Sequence, residues 1–598
     1  MANIGSSKQI SRPTLDKYLG LNQNVTGDTG ILYGESGDME NVIITDDYKL
    51  SRSIGYEQMF EPLPDPIIAQ YPGTLNGVTI CIFAAGGTMY SMNKDTGVYT
   101  SIGSYTGDYI TFFTFNDLLY ALNTTTYQKW DGTGVFVNVE GYVPLFRING
   151  VPSTGAGDLN EEFNLLTGKK HMTYNGDALA TIYQLPETNI DSVDLVEVDG
   201  VTQVEGINYL VSLALGRVIF TNPSKPKAGT NNVDIYWDKD TGTREEFAGN
   251  KYVLAFGLRN DTRVFFYGDP ENKNRIRFTD LADGIQSAEY IPADHYTDVS
   301  DAGIYVKDLM QYQGKILIFK SNELHSGTLE YVTENSGRVE LILTTLPLTT
   351  VETLPFNQGK IINGIPVQIG KQLYRVLETY VKEERNIQTF SDRIKYDLNS
   401  VDLTQAVSLD IESTRQYVVA VGKVVWVYSY VTDTFSRLRL AHTPTCGNEF
   451  DNILYFSCVE GTVMRYDDEL VTYNGIDMGW YWNMNFEDYG ADYRRKSLKR
   501  LHVTVDPTRD QYMNITTVTD KDGLSTTSRV VDIKHMTFLN MNFANFSFNT
   551  TYLPKPTRLK MNSKKFTYLS IRLDGGEEAK PLTLINMTPK IVYGGESK

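Results

Sequence analysis

One unit recurs along most of this chain: a short apolar strand, a tight polar turn, a second strand rich in Tyr, Phe or Trp, and a Gly- or Asp-bearing break. It is clearest at 79–99 (TICIFAAGGTMYSMNKDTGVY), 111–137 (TFFTFNDLLYALNTTTYQKWDGTGVFV), 308–324 (DLMQYQGKILIFKSNEL), 417–438 (YVVAVGKVVWVYSYVTDTFSRL) and 448–466 (NEFDNILYFSCVEGTVMRY). Repetition at this scale is the signature of radial β-architectures, in which each small sheet buries its faces only against its neighbours. The expected fold is therefore all-β: a β-propeller with an inserted small β-sandwich and a C-terminal β-sandwich domain. Seven candidate blade segments can be counted up to Asp468.

Composition agrees with this reading. The 39 Tyr and 26 Phe suit pleated surfaces, and the 49 Gly supply turns of positive φ between them. At 598 residues the chain exceeds what one core can serve, so several domains are expected. The net charge of −18 argues against a sequence-specific nucleic-acid binder, yet suits a wall that DNA passes without sticking. Cys81, Cys446 and Cys458 have neither the number nor the spacing of a disulfide framework or a metal site, and are expected to be reduced thiols. No apolar run approaches the ~18 residues of a membrane helix and the N-terminus has no signal-like apolar core, so the chain is not expected to enter a membrane by itself.

The organisation read from these patterns has five parts. Residues 1–60 form an N-terminal arm with the first strands, either lying on another domain or subunit or serving as the outer strand of the first blade. Residues 61–165 hold the first propeller blades. Residues 166–245 break the rhythm, with strands over 181–185, 193–198, 217–220 and 233–237, and read as a β-sandwich inserted in a propeller loop, where insertion costs little. The remaining blades occupy 246–476. Within them 373–385 (LYRVLETYVKEER) is the one good helical candidate, although TYVKEER equally suits a polar outer strand with a turn. A C-terminal β-domain fills 477–598, with strands expected over 480–486, 501–505, 514–519, 528–533, 546–549, 565–572 and 588–593.

Chemistry has few candidate groups. His171, His295, His325, His442, His502 and His535 are scattered without metal-ligand spacing, and GxSxG and Walker motifs are missing. Propellers can host glycosidases built on paired acids. Here, however, Asp131-Gly132-Thr133-Gly134 has its Trp on the wrong side for a sialidase-type turn, 238–240 reads as a solvated acidic turn, and the Asp/Asn turn 269–274, where calcium could bind, lacks EF-hand spacing. No catalytic residue, cofactor or metal site is expected. The densest basic cluster is Arg494, Arg495, Lys496, Lys499 and Arg500, just ahead of the alternating strand 501–505. Two readings stand for it: a solvated hairpin tied into salt bridges, or a patch facing phosphate or a partner, giving salt-dependent contact without sequence preference.

The order of these parts carries a resemblance: an arm containing NVIITDDYKLSRSIGY, blades of the GKILIFKSNEL and LLYALNTTTYQKWDG kind, and a closing β-domain introduced by RRKSLKRLHVTV. The chain resembles the tail nozzle proteins of short-tailed bacteriophages, also called packaged-DNA stabilization proteins, over nearly its whole length. The insert, with YNGDALATIYQLP, VEVDG and AGTNNVDIYW, resembles a small β-module of phage tail proteins and departs from the family pattern. The resemblance implies a non-enzymatic virion tail component, assembled in the bacterial host cytoplasm. Its implied partners are itself as a homohexamer, the adaptor and portal-side tail proteins, tail fibres or spikes, and double-stranded DNA passing without sequence specificity. Genome retention followed by DNA ejection would be its task. The competing reading is a receptor-binding or glycan-cleaving propeller tail protein.

Overall fold

The computed structural model describes residues 10–596 except 25–31, 94–95, 124, 240–243, 259–260, 334–338, 379–384, 491, 508–509, 522–524, 534–553 and 576–579. Its recurring element is a four-stranded antiparallel sheet whose strands follow in chain order, which is the blade of a β-propeller. Seven four-stranded sheets of this kind occur among the described residues; in six the strands come in chain order, and in the seventh the fourth strand comes from the N-terminal arm. The local device that makes them is a two-residue hairpin loop with both residues at positive φ, as at Gly86-Gly87, Asn116-Asp117 and Asn363-Gly364. Turns of that hand match the twist of the flanking strands, and Gly, Asn and Asp are the residues that tolerate them.

The chain divides into two compact units, residues 71–353 and residues 1–70 with 354–598. The first unit carries blades built on strands Val78–Ala85, Leu118–Asn123, Asp261–Tyr267 and Lys315–Lys320. Their faces pack aromatic on aromatic: Phe113, Tyr120 and Tyr127 stack at 5.2–6.4 Å, and Phe113 and Tyr127 meet Phe266 edge-on. Between its second and third blades lies the inserted module. A six-stranded sheet (Asp158–Leu159, Leu145–Gly150, Lys169–Gly176, Gly229–Asp238, Ser192–Val198, Val201–Thr202) accompanies a three-stranded one (Ile182–Gln184, Arg217–Phe220, Tyr209–Ser212). Trp237, Tyr174, Tyr183 and Val218 fill the core they share.

The module therefore takes in strands from Leu145 onward, upstream of the 166 boundary read from the sequence. Nor is it a clean insertion. Leu165 and Leu166 return to the core of the neighbouring blades, and Asn164 donates to the carbonyls of Tyr142 and Glu289.

In the second unit, three blades are built on Ile365–Ile369, Val424–Ser429 and Ile453–Cys458. The last is completed by an N-terminal strand, Gly55–Gln58, paired antiparallel with Val463–Asp467. The helix considered over 373–385 is not formed. Leu373–Glu378 and Arg385–Thr389 are the third and fourth strands of a blade, and 379–384 lies outside the described residues.

The C-terminal domain is a sandwich of two sheets. One holds Val42–Ile44, Leu50–Arg52, Thr583–Glu596, Arg494–Val505 and Thr557–Lys560, with Ile10–Ser11 and Lys564–Phe566 alongside; the other holds Ser36–Glu40, Tyr481–Met484, Leu569–Asp574, Gln511–Thr519 and Ser525–Ile533. The strand expected over 546–549 lies outside the described residues. The N-terminal arm thus contributes strands to both sheets of a domain more than 400 residues away. Leu15, Tyr18, Met39 and Val42 are buried in its core, and Tyr18 packs edge-on to Trp482 at 5.5 Å.

Candidate interaction surface

Strand Arg494–Val505 decides what the basic cluster can do, because its residues alternate between core and solvent. A β-bulge between Leu498 and Arg500 shifts that alternation, leaving Lys499 and Arg500 both exposed while Leu501 and Val503 turn inward. The five cations consequently separate. Arg494 donates to the carbonyl of Gly594 at 3.1 Å and lies over the Tyr593 ring. Lys496 is only 1% exposed; its Nζ donates to the carbonyls of Arg494 (3.1 Å) and Thr567 (2.9 Å), and burial lowers its pKa. Arg495, Lys499 and Arg500 face solvent. Lys496 is thus part of the interior, not of a surface patch.

Other cations, distant in sequence, replace it. Arg500 pairs directly with Lys560 on one side and Lys590 on the other, so the three share the outer face. Ile10–Ser11 pairs with Val592 and Ile591, which sets the next residue, Arg12, beside Lys590. One step along, His502 pairs with Arg558. Arg558, Arg12, Arg500 and Lys590, together with burial as the largest cause, hold His502 below its ordinary pKa. The sequence cluster pointed to this sheet but not to these partners; the alternating Arg558 and Lys560 were the only local signal for them.

The patch stands against an acidic body. Residues 480–598 carry 18 basic and 12 acidic side chains, a net +6, which leaves −24 on residues 1–479.

Elsewhere the candidate groups are satisfied by their own surroundings. Asp131 accepts from the Thr133 backbone N–H and hydroxyl, and Asp269 from Glu271 N–H and Asn272, so both acidic turns are closed on themselves. Asp238 ends a strand, while 240 lies outside the described residues. His171 bonds Asp234 at 3.0 Å and stacks on Tyr236, His325 meets Glu323 at 2.9 Å, and His442 meets the Tyr56 hydroxyl at 3.2 Å. His295 is fully buried, and His535 is not among the described residues. Among the described residues, no three His, Cys, Asp or Glu side chains gather as a metal site, and no helix is long and apolar enough to cross a membrane. Burial pushes the Cys446 thiol up to about 11 and the Cys458 thiol up to about 12, far from a reactive thiolate.

Two cavities lie in the second unit. One of about 600 Å³ opens between the last two blades and is lined largely by aliphatic side chains, including Ile411, Val425, Val427 and Ile453. The other, about 560 Å³, lies where the arm meets the C-terminal domain, bounded by Glu40, Asp477, Trp480, Arg572 and Asp574.

No family model matches the chain, and no curated protein matches it. Among solved structures it is similar to the computationally designed Ika8 protein (12% identity, TM-score 0.33, 69% of this chain and 99% of that one). It is also similar to BamB from Moraxella catarrhalis (10% identity, TM-score 0.30, 77% and 97%). A third similarity is to an exo-beta-1,3-galactanase from Phanerochaete chrysosporium (8% identity, TM-score 0.17, 81% and 97%). Likenesses this distant carry no functional argument. The chain is a β-propeller protein with additional β-modules, and that assignment rests on its own sheets.

Proposed function

We propose that this chain is a structural, non-enzymatic virion protein that forms the tail nozzle or hub of a short-tailed bacteriophage. In this reading it oligomerises below the adaptor ring, closes the genome channel until infection and then conducts the DNA. The observation that carries the reading is the order and linkage of parts: arm, blade sheets with an inserted β-module, and a closing sandwich opened by the basic strand Arg494–Val505. It is the order in which the resembled family is built. Surfaces rather than convergent catalytic side chains are what this chain offers, as a scaffold requires.

The acidic body supports the conducting role. A wall carrying −24 over residues 1–479 repels the phosphate backbone, so duplex DNA slides past without adhering. Six copies around the axis would attach upward to adaptor and portal-side proteins and outward to fibres or spikes. The test is duplex retention at physiological salt together with labelling of whole particles. Weak DNA retention and label at the tail tip are expected. Tight retention, or label on the capsid, contradicts the reading.

A further inference from the structure

The C-terminal sheet displays a row of like charges that its own register enforces. Arg12, Lys590, Arg500 and Lys560 sit side by side across four adjacent strands. At a strand spacing of about 4.8 Å the row spans about 14 Å. A second row, one side-chain repeat along, adds His502 and Arg558. Like charges placed directly across strands repel one another. Among the described residues no carboxylate is in ion-pair contact with any of these five cations, and the charged groups that act most on His502 are Arg558, Arg12, Arg500 and Lys590. The neighbouring Lys499 and Arg495 extend the same basic edge, because the bulge turns Lys499 outward.

A sheet that lines up cations without counter-charges is destabilised alone and relieved by an anionic partner. The chemistry that fits is a carboxylate-bearing surface, since Arg forks pair bidentately with carboxylates and Lys adds point charges. The nearest abundant source of such a surface is the chain itself. Residues 1–479 carry −24 while residues 480–598 carry +6, so two copies attract when the basic face of one meets the acidic body of the next. Such a contact joins two different patches and is head-to-tail, the kind that closes into rings.

We infer that the face formed by Arg12, Lys590, Arg500, Lys560 and Arg558 docks onto the acidic blade region of a second copy of this chain. The inference rests on the self-assembling part of the proposed function and assigns the surface that performs it.

The test is mass photometry of the full chain between 50 and 500 mM NaCl, comparing wild type, the triple variant Arg500→Glu/Lys560→Glu/Lys590→Glu, the milder Arg500→Gln/Lys560→Gln/Lys590→Gln, and the control Lys225→Glu/Lys227→Glu in the inserted module. Circular dichroism verifies the fold of each, and the Gln variant answers the question if the Glu variant fails to fold. Wild type and control are expected to assemble at 50 mM and to dissociate as salt rises. The charge-reversed variant should need at least tenfold more protein for half-assembly. Assembly of that variant at the wild-type concentration overturns this inference while leaving a ring intact. No assembly of wild type at any salt overturns the inference and the ring together. Tight capture of a 20-base-pair duplex by wild type but not by the variants makes the row a phosphate site, and also overturns it.

Discussion

The inserted module and the C-terminal sandwich are both two-sheet β-structures of about a hundred residues, yet they are built into the chain in opposite ways. The module comes from one stretch of chain: its strands run from Leu145 to Asp238, broken where 164–166 return to the blades, and Trp237, Tyr174, Tyr183 and Val218 fill its core. Strand ends bring its seams together. Lys169 pairs directly with Asp238, and Glu161 N–H donates to the Leu145 carbonyl. The sandwich is discontinuous, taking strands Ser36–Glu40 and Val42–Ile44 from the arm into different sheets. Asn41 between them is a knot in the second unit. Its side chain donates to the carbonyls of Met478 and Gly479, and its backbone N–H to the carbonyl of Arg437 in a blade. One region is an attachment; the other ties both ends of the chain to the scaffold.

The largest effect expected from this contrast is truncation of residues 1–52. It removes Leu15, Tyr18, Leu21, Met39, Val42, Ile44 and Leu50 from one core. At ~1.5–3 kcal/mol per buried side chain, the loss is roughly 10 kcal/mol or more, beyond what a domain holds in reserve. Limited proteolysis should then digest the C-terminal domain. A protease-resistant sandwich without the arm would break the comparison.

Next come the two buried tryptophans, each expected to cost about 3–5 kcal/mol on replacement by Ala. Trp482→Ala, which removes the partner of Tyr18, should lower the main unfolding transition. Trp237→Ala, which also frees Glu187 Oε2 from its 2.7 Å hydrogen bond, should lower only the module's transition in calorimetry. A single shared transition in both variants would show that the module is not separable.

A double excision is gentler. Removing 146–160 and 170–237 with short Gly linkers keeps Leu165 and Leu166 in the blade core. Blade-region stability should fall by no more than about 2 kcal/mol, the scale of ordinary surface changes and loop closure. Global unfolding by circular dichroism would place the module in the core.

The smallest effect belongs to a blade outside both regions and sets the baseline. Burial, then Glu412 and Glu449, push the Asp410 carboxyl up to about 6. Its protonated form therefore favours the fold: stability rises as pH falls from 7 through 6 toward 4, where the unfolded carboxyl also protonates. Asp410→Asn should stabilise by about 1 kcal/mol at pH 7, after discounting for solvent screening of a half-exposed group, and should flatten the slope between pH 6 and 4 in urea melts.

The blades were legible because their turns announce themselves: Gly86-Gly87, Asn116-Asp117 and Asn363-Gly364 occupy positive φ, which few residues accept. The segment 373–385 misled for the opposite reason. Leu373 and Val376 are its buried positions, an i, i+3 spacing that imitates a helix, while Tyr374, Arg375 and Leu377 are half-buried and leave the strand without a clean period of two. The arm's destination was not legible, since pairing across more than 400 residues leaves no local trace. Nor was the bulge at Lys499–Arg500, which reverses the strand's alternation and sends Lys496 inward. The basic cluster marked the right sheet, while Arg12, Arg558, Lys560 and Lys590 reach it only through register.

Class-averaged electron images of the purified full chain at 50 mM salt test the central claim most directly. The account predicts six-fold rings around a central axis. Isolated single copies that turn over a glycan would contradict it.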